Sequence, residues 1–185
     1  MIFFPAFLGI SKARSKRIAA PLFLTKEYIQ SSLDVFPVEF LDMKENHVVV
    51  FGEDTLGSLT IEGRHLRLFL EEQLKGKLIR VRQGFLENGL DLKAVRSLLK
   101  QSLNSLLPIF RNLLRLKNIT PPIDKFEIIT QCCHAFGLSA SVFEQIYDEV
   151  TGKKKIIPAH LAVIFEQYLC LWETLIERVD ASRAP

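Results

Sequence analysis

From residue 61 onward, apolar residues recur every three or four positions, and that spacing confines most of the chain to amphipathic helices. Over residues 63–87, Leu66, Leu70, Leu74, Leu78, Val81 and Phe85 share one helix face. A second long helix follows in "LKAVRSLLKQSLNSLLPIFRNLLRLKN", with Leu92, Val95, Leu99, Leu103, Leu106, Phe110 and Leu113 turned inward. Pro108 predicts a kink there or a division in two, because proline lacks the amide donor and its ring crowds the preceding turn. The third helix is expected to start at Thr120 and Pro121 and to stop at Gly137. The fourth has Ser141 and Glu144 at capping-box spacing and stops at Gly152. The fifth begins near Pro158 and turns Leu161, Phe165, Tyr168, Trp172, Leu175 and Val179 to one side. Five such helices with short connections predict an antiparallel bundle over residues 61–185.

Before residue 61 the pattern changes. "FLTKEYIQSSLD" reads as a helix of two turns with Thr25 as its N-cap. In "FPVEFLDMKENHVVVFGED", residues 36–54, Phe36, Val38 and Phe40 alternate with Pro37, Glu39 and Leu41. That alternation predicts a strand, with Glu39 facing away from the core. Three consecutive valines after the polar turn "KEN" predict a second strand. The expected fold class is therefore α+β, mostly α, with a small N-terminal helix and a β-hairpin in residues 18–60 ahead of the bundle. A hairpin this short needs something to pack on.

Composition narrows the classes of function. The chain has 185 residues, a formal net charge of +3 and three cysteines. A charge this mild does not itself imply nucleic acid, and no specific nucleic-acid partner is expected. An odd number of cysteines forms no disulfide framework and suits a reducing cytoplasm. Residues 1–17 place an apolar run before Lys12, Arg14, Lys16 and Arg17, the reverse of a secretory signal. They read as a poorly ordered or docked leader. An interfacial membrane anchor is the alternative, and the membrane is the less expected partner.

Several constellations invite a chemical reading. Cys132, Cys133 and His134 are adjacent on a helix, so their side chains fan about 100° apart and do not converge on one tetrahedral zinc. His47, His65, His134 and His160 are scattered, and no serine sits in a nucleophile elbow. Arg64, Arg67, Lys75, Lys77, Arg80 and Arg82 form a basic row on the first long helix. Such a row is ordinarily a solvated face, and its sharper alternative is contact with phosphate; Arg111 and Arg115 share that ambiguity. Glu39 and Asp42 have the same double reading. They are solvated acids on an edge hairpin, or carboxylates for Mg²⁺ in phosphoryl or nucleotidyl transfer.

The order of "FPVEFLDMKENHVVVFGED", "LRLFLEEQLKGKLIRVRQGFLE" and "LLPIFRNLLRL" resembles the later part of nucleotidyltransferase-like proteins. These belong to the DNA polymerase beta type superfamily, with a helical bundle similar to that of kanamycin nucleotidyltransferase. The resemblance spans roughly residues 18–180. It implies that residues 18–60 are the remnant of a palm, with Glu39 as the third catalytic acid and a metal ligand, and Asp42 as second choice. It also implies Mg²⁺ and an NTP as cofactors, with Arg64 and Arg67 meeting phosphate, and transfer of a nucleoside monophosphate to an unknown acceptor. The family's paired acids do not occur here, since no two Asp or Glu residues stand at i and i+2. Gly57-Ser58 follows the predicted hairpin instead of preceding it. The short leader stands where that family's nucleotide half would be, so this chain alone is expected to be inactive or incomplete. The alternative is a noncatalytic interaction module, either a homodimer or a subunit whose missing half-site comes from a partner protein.

Overall fold

Helices follow the apolar spacing closely. The computed structural model describes residues 22–88 and 91–182, and the chain divides into two compact units, residues 1–33 and 34–185. In the first unit, α1 (Lys26–Ser31) is capped by Thr25, whose Oγ1 accepts the Tyr28 amide at 3.1 Å. The second unit holds α2 (Pro37–Glu45), α3 (Gly63–Asn88), α4 (Leu92–Leu116), α5 (Lys125–Ala135), α6 (Ser141–Thr151) and α7 (Pro158–Ala181). The leader, residues 1–17, lies outside the described residues.

α4 is the central element, packing against α3, α5, α6 and α7, while α3 also meets α7 and carries α2 on its flank. The predicted apolar faces of α3 and α7 are buried from Leu66 to Val81 and from Leu161 to Val179. An aromatic ladder crosses the core. Phe110 meets Phe143 edge-on at 5.4 Å, Phe143 meets Tyr168 at 5.5 Å, and Tyr168 meets Trp172 at 5.6 Å. The Tyr168 hydroxyl donates to Ser102 Oγ at 3.0 Å, and that hydroxyl donates to the Leu99 carbonyl at 2.9 Å. Burial leaves Tyr168 a neutral phenol, its ionisation pushed far up by desolvation against a smaller lowering by the Ser102 bond. No helix among the described residues is long and apolar enough to cross a membrane.

Five sequence expectations need correction. The first is the hairpin: the fold is all-helical among the described residues, so the α+β class is overturned. "PVEFLDMKE" is helix α2, which buries Pro37 and Phe40 and packs Val38 and Leu41 on the core. Positions 37, 40, 41 and 44 follow a 3.6-residue period as well as the alternation followed a period of two, and a run this short satisfies both. Pro37 is compatible with the helix, because at the first helical position its missing amide costs nothing and its φ is already helical. The valine run that should have been the second strand belongs to no sheet.

Second, α4 runs unbroken through Pro108, so the expected division in two does not occur. Pro108 and Asn104 are both exposed, so the carbonyl that loses its amide partner faces water. Third, α5 begins at Asp124, four residues beyond the expected Thr120. The Asp124 carboxylate accepts the Phe126 and Glu127 amides at 2.9 and 3.0 Å, a stronger cap than threonine offers. Fourth, α6 has Ala140 at its N-cap, so Ser141 is already helical and forms no capping box with Glu144. Fifth, Leu92, expected inward, is exposed in the first turn of α4.

Candidate functional site

Glu39 is the third residue of α2, exposed, and without an ion pair among the described residues. Its place is explained by the helix itself. A carboxylate in the first turn offsets the partial positive charge of the unpaired amides there, and Lys44 does the converse at the other end. Asp42 lies one turn on and receives Arg115 Nη1 at 2.6 Å. Arg64 pairs with Glu62 at 2.6 Å. Arg67 lies 2.9 Å from Glu71 and 3.3 Å from Asp180, tying α3 to the end of α7. Each of these cations already has its acid, and no bond joins Glu39, Arg64 and Arg67. No three His, Cys, Asp or Glu among the described residues stand where they would hold a metal ion. The described residues therefore do not fit a two-metal centre, which needs carboxylates converging on ions about 3.5–4 Å apart.

Arg115 proves to be a clamp. Its side chain is 10% exposed and reaches Asp42, Glu45 and Asn112 Oδ1, the last at 2.8 Å, so it fastens α2 to α4. Its Nε is buried with no hydrogen-bond partner. Beside it a cleft of about 600 Å³ is walled by Leu41, Ile61, Leu66, Leu116, Ile119 and Pro121. The one arginine lining that cleft is neutralised by two carboxylates, so it holds no surplus charge for phosphate.

The most unusual surface is the loop between α2 and α3. Val48, Val50 and Phe51 are 86%, 93% and 99% exposed, and Val49 is 45% exposed. Leaving side chains of this size in water forfeits roughly 1.5–3 kcal/mol each relative to burial. Anchors surround them on both sides. At the root, Lys44 Nζ donates to the carbonyl of buried Leu59 at 2.6 Å. Further out, the His47 ring bridges the Lys44 carbonyl through Nδ1 at 3.0 Å and Asp54 Oδ1 through Nε2 at 2.8 Å. The same Asp54 oxygen accepts the Gly57 amide at 2.7 Å. A Cβ at Gly57 would stand 2.3 Å from the other Asp54 oxygen, so only glycine fits this turn without moving the carboxylate.

Both His47 nitrogens face acceptors, so the arrangement favours the doubly protonated ring. The hydrogen bond to Asp54 raises the His47 pKa, against a smaller opposing effect of desolvation and with the Lys44 carbonyl assisting. Asp54 is lowered by the Gly57 amide first and by His47 second. Between these anchors the backbone of residues 48–51 makes no hydrogen bond to any described residue.

Sequence reasoning singled out the valine run but paired it within the chain. The signal missed was the His47/Asp54/Gly57 spacing, which staples a loop where a hairpin turn was expected. Cys132 and Cys133 are buried, and desolvation pushes the Cys133 thiol up to about 12, so both are packing residues with little thiolate. His134 is exposed beside them. No family model matches the chain, and neither does any curated protein or solved structure.

Proposed function

We propose that this chain is a noncatalytic protein-interaction module whose docking element is the stapled loop carrying Val48–Phe51. One observation carries the reading: four consecutive apolar residues are exposed between hydrogen-bonded anchors on either side of them. Exposed apolar residues gathered in one patch mark interaction sites, whereas scattered single ones are ordinary. The unbonded backbone adds donors and acceptors that a partner strand can satisfy. A cytoplasmic location goes with this reading, since all three cysteines are free thiols.

Nucleotidyl transfer draws less from these residues. Glu39 stands on an exposed helix face, Asp42 is engaged by Arg115, and Arg64 and Arg67 are each paired with acids. The test of the module reading is a photo-crosslinking residue placed at Val50 in the native cell. The expected result is a discrete adduct that disappears when Val48→Lys is added. No adduct, or one indifferent to Val48→Lys, overturns the proposal.

A further inference from the structure

We propose that the cleft beside Arg115 binds an uncharged, largely apolar small molecule through a carbonyl oxygen, at a site that shares no residue with the exposed valine loop. The cleft has the size of a small-molecule site, about 600 Å³ against a usual range of roughly 300–1,000 Å³. Its apolar wall comes from Leu41 on α2, from Ile61 and Leu66 around the start of α3, and from the end of α4 with the turn after it. That turn is tightly closed. Asn118 takes a φ of +55°, and the Ile119 amide donates to the Leu114 carbonyl at 2.9 Å, which carries Ile119 and Pro121 into the wall. Arg115 fastens α2 to α4 at the same place, so the cleft is formed before any ligand arrives.

Two unpaired donors set the polar end of the ligand. The side chain of Arg115 is nine-tenths buried, its Nη1 and Nη2 are taken by Asp42, Asn112 and Glu45, and its Nε has no acceptor. Nε and Nη2 share one edge of the planar guanidinium, and Glu45 takes only the Nη2 half of it. The Nε–H is thus turned to the side of Glu45, itself a residue of the cleft. Glu45 is 42% exposed, so a shift of its carboxylate opens that edge to the ligand. A buried polar atom without a partner is rare enough in folded proteins to call for a cause. Gly63, the first residue of α3, lines the same cleft, and its amide has no acceptor among the described residues. Both groups donate, so an acceptor completes them. An ammonium offers none. A carboxylate or phosphate would bring more negative charge to Asp42 and Glu45, which already outnumber Arg115. A neutral carbonyl avoids both faults, and the apolar wall covers the rest of the molecule.

Octanamide, octanoate and octylammonium share a tail and differ at the head, and methyl NMR of the full chain reads where each one binds. Octanamide should shift the methyls of Leu41, Ile61 and Ile119 and bind at least about tenfold more tightly than the other two. Arg115→Lys keeps the positive charge and removes Nε, so octanamide should weaken about fivefold or more while the Ile119 shift persists. That substitution also loosens the join between α2 and α4, so a second variant accompanies it. Ile119→Glu, at a wall position 37% exposed, should leave the circular dichroism unchanged and weaken octanamide at least about tenfold. No shift with octanamide at about 1 mM overturns the proposal, as do shifts at Val48–Val50 in place of the cleft. Equal affinity for the three heads, tighter binding of octanoate or octylammonium, or octanamide binding indifferent to Ile119→Glu overturns it as well.

Discussion

His47 shows how a single residue acts through the two atoms it faces. A carbonyl at Nδ1 and a carboxylate at Nε2 both require N–H donors, so folding favours the charged ring. Its pKa is raised above the ordinary 6.5, so its contribution to stability is fully present below that value and is lost as pH rises through the folded pKa. Asp54 is lowered from 3.8, so its contribution is present above that value and lost as pH falls through the folded pKa. The staple is therefore strongest between 3.8 and 6.5 and weakens as pH moves out of that window on either side. An NMR titration should find the His47 midpoint above 6.5 in the native protein and lower in Asp54→Asn. An unchanged midpoint in the variant would show that the carboxylate does not hold the ring.

At the scale of the element, α3 offers the cleanest test. Gly76 lies in the middle of this helix, is exposed, and has nothing within 4 Å of where a Cβ would stand. Gly76→Ala should therefore raise stability by about 1 kcal/mol, through helix propensity and a less disordered unfolded chain. Denaturant unfolding should show a higher midpoint with an unchanged slope. α2 carries the opposite lesson about elements. Its sequence served two periods equally well, and the apolar surface of α3 beneath it selected the helical one. Glu39, which alternation placed on a strand facing away from the core, is indeed outside the core, for a reason that belongs to helix electrostatics.

Within the bundle, α4 is the axis against which α3, α5, α6 and α7 pack. Leu103 is fully buried within it, and Leu103→Ala should cost about 2–5 kcal/mol by lost transfer energy and residual cavity. That is a large part of a typical domain's stability of about 5–15 kcal/mol, so a markedly lower unfolding midpoint is expected. Catalysis is the other property of the whole. The purified chain with Mg²⁺ and ATP or CTP should transfer no nucleoside monophosphate, because no cluster of carboxylates among the described residues converges on an ion. Transfer that is abolished by Glu39→Gln would reverse the order of the two functional readings.

The sequence by itself determined the five helices of the bundle, because an apolar stripe repeated over about three to seven turns leaves only one period that buries it. It likewise determined the stops at Gly137 and Gly152, whose φ values of +66° and +77° are ones that other residues rarely adopt. Tertiary structure decided the rest. Which period α2 obeys depends on the surface it meets, and a nine-residue run does not specify that. The continuity of α4 through Pro108 depends on Asn104 and Pro108 facing solvent. Arg115 becomes a clamp only when α2 brings Asp42 and Glu45 from some seventy residues away. The exposed valines follow the same logic. Their β propensity is local and legible, but a strand needs a neighbour, and none of the described chain is placed to be one.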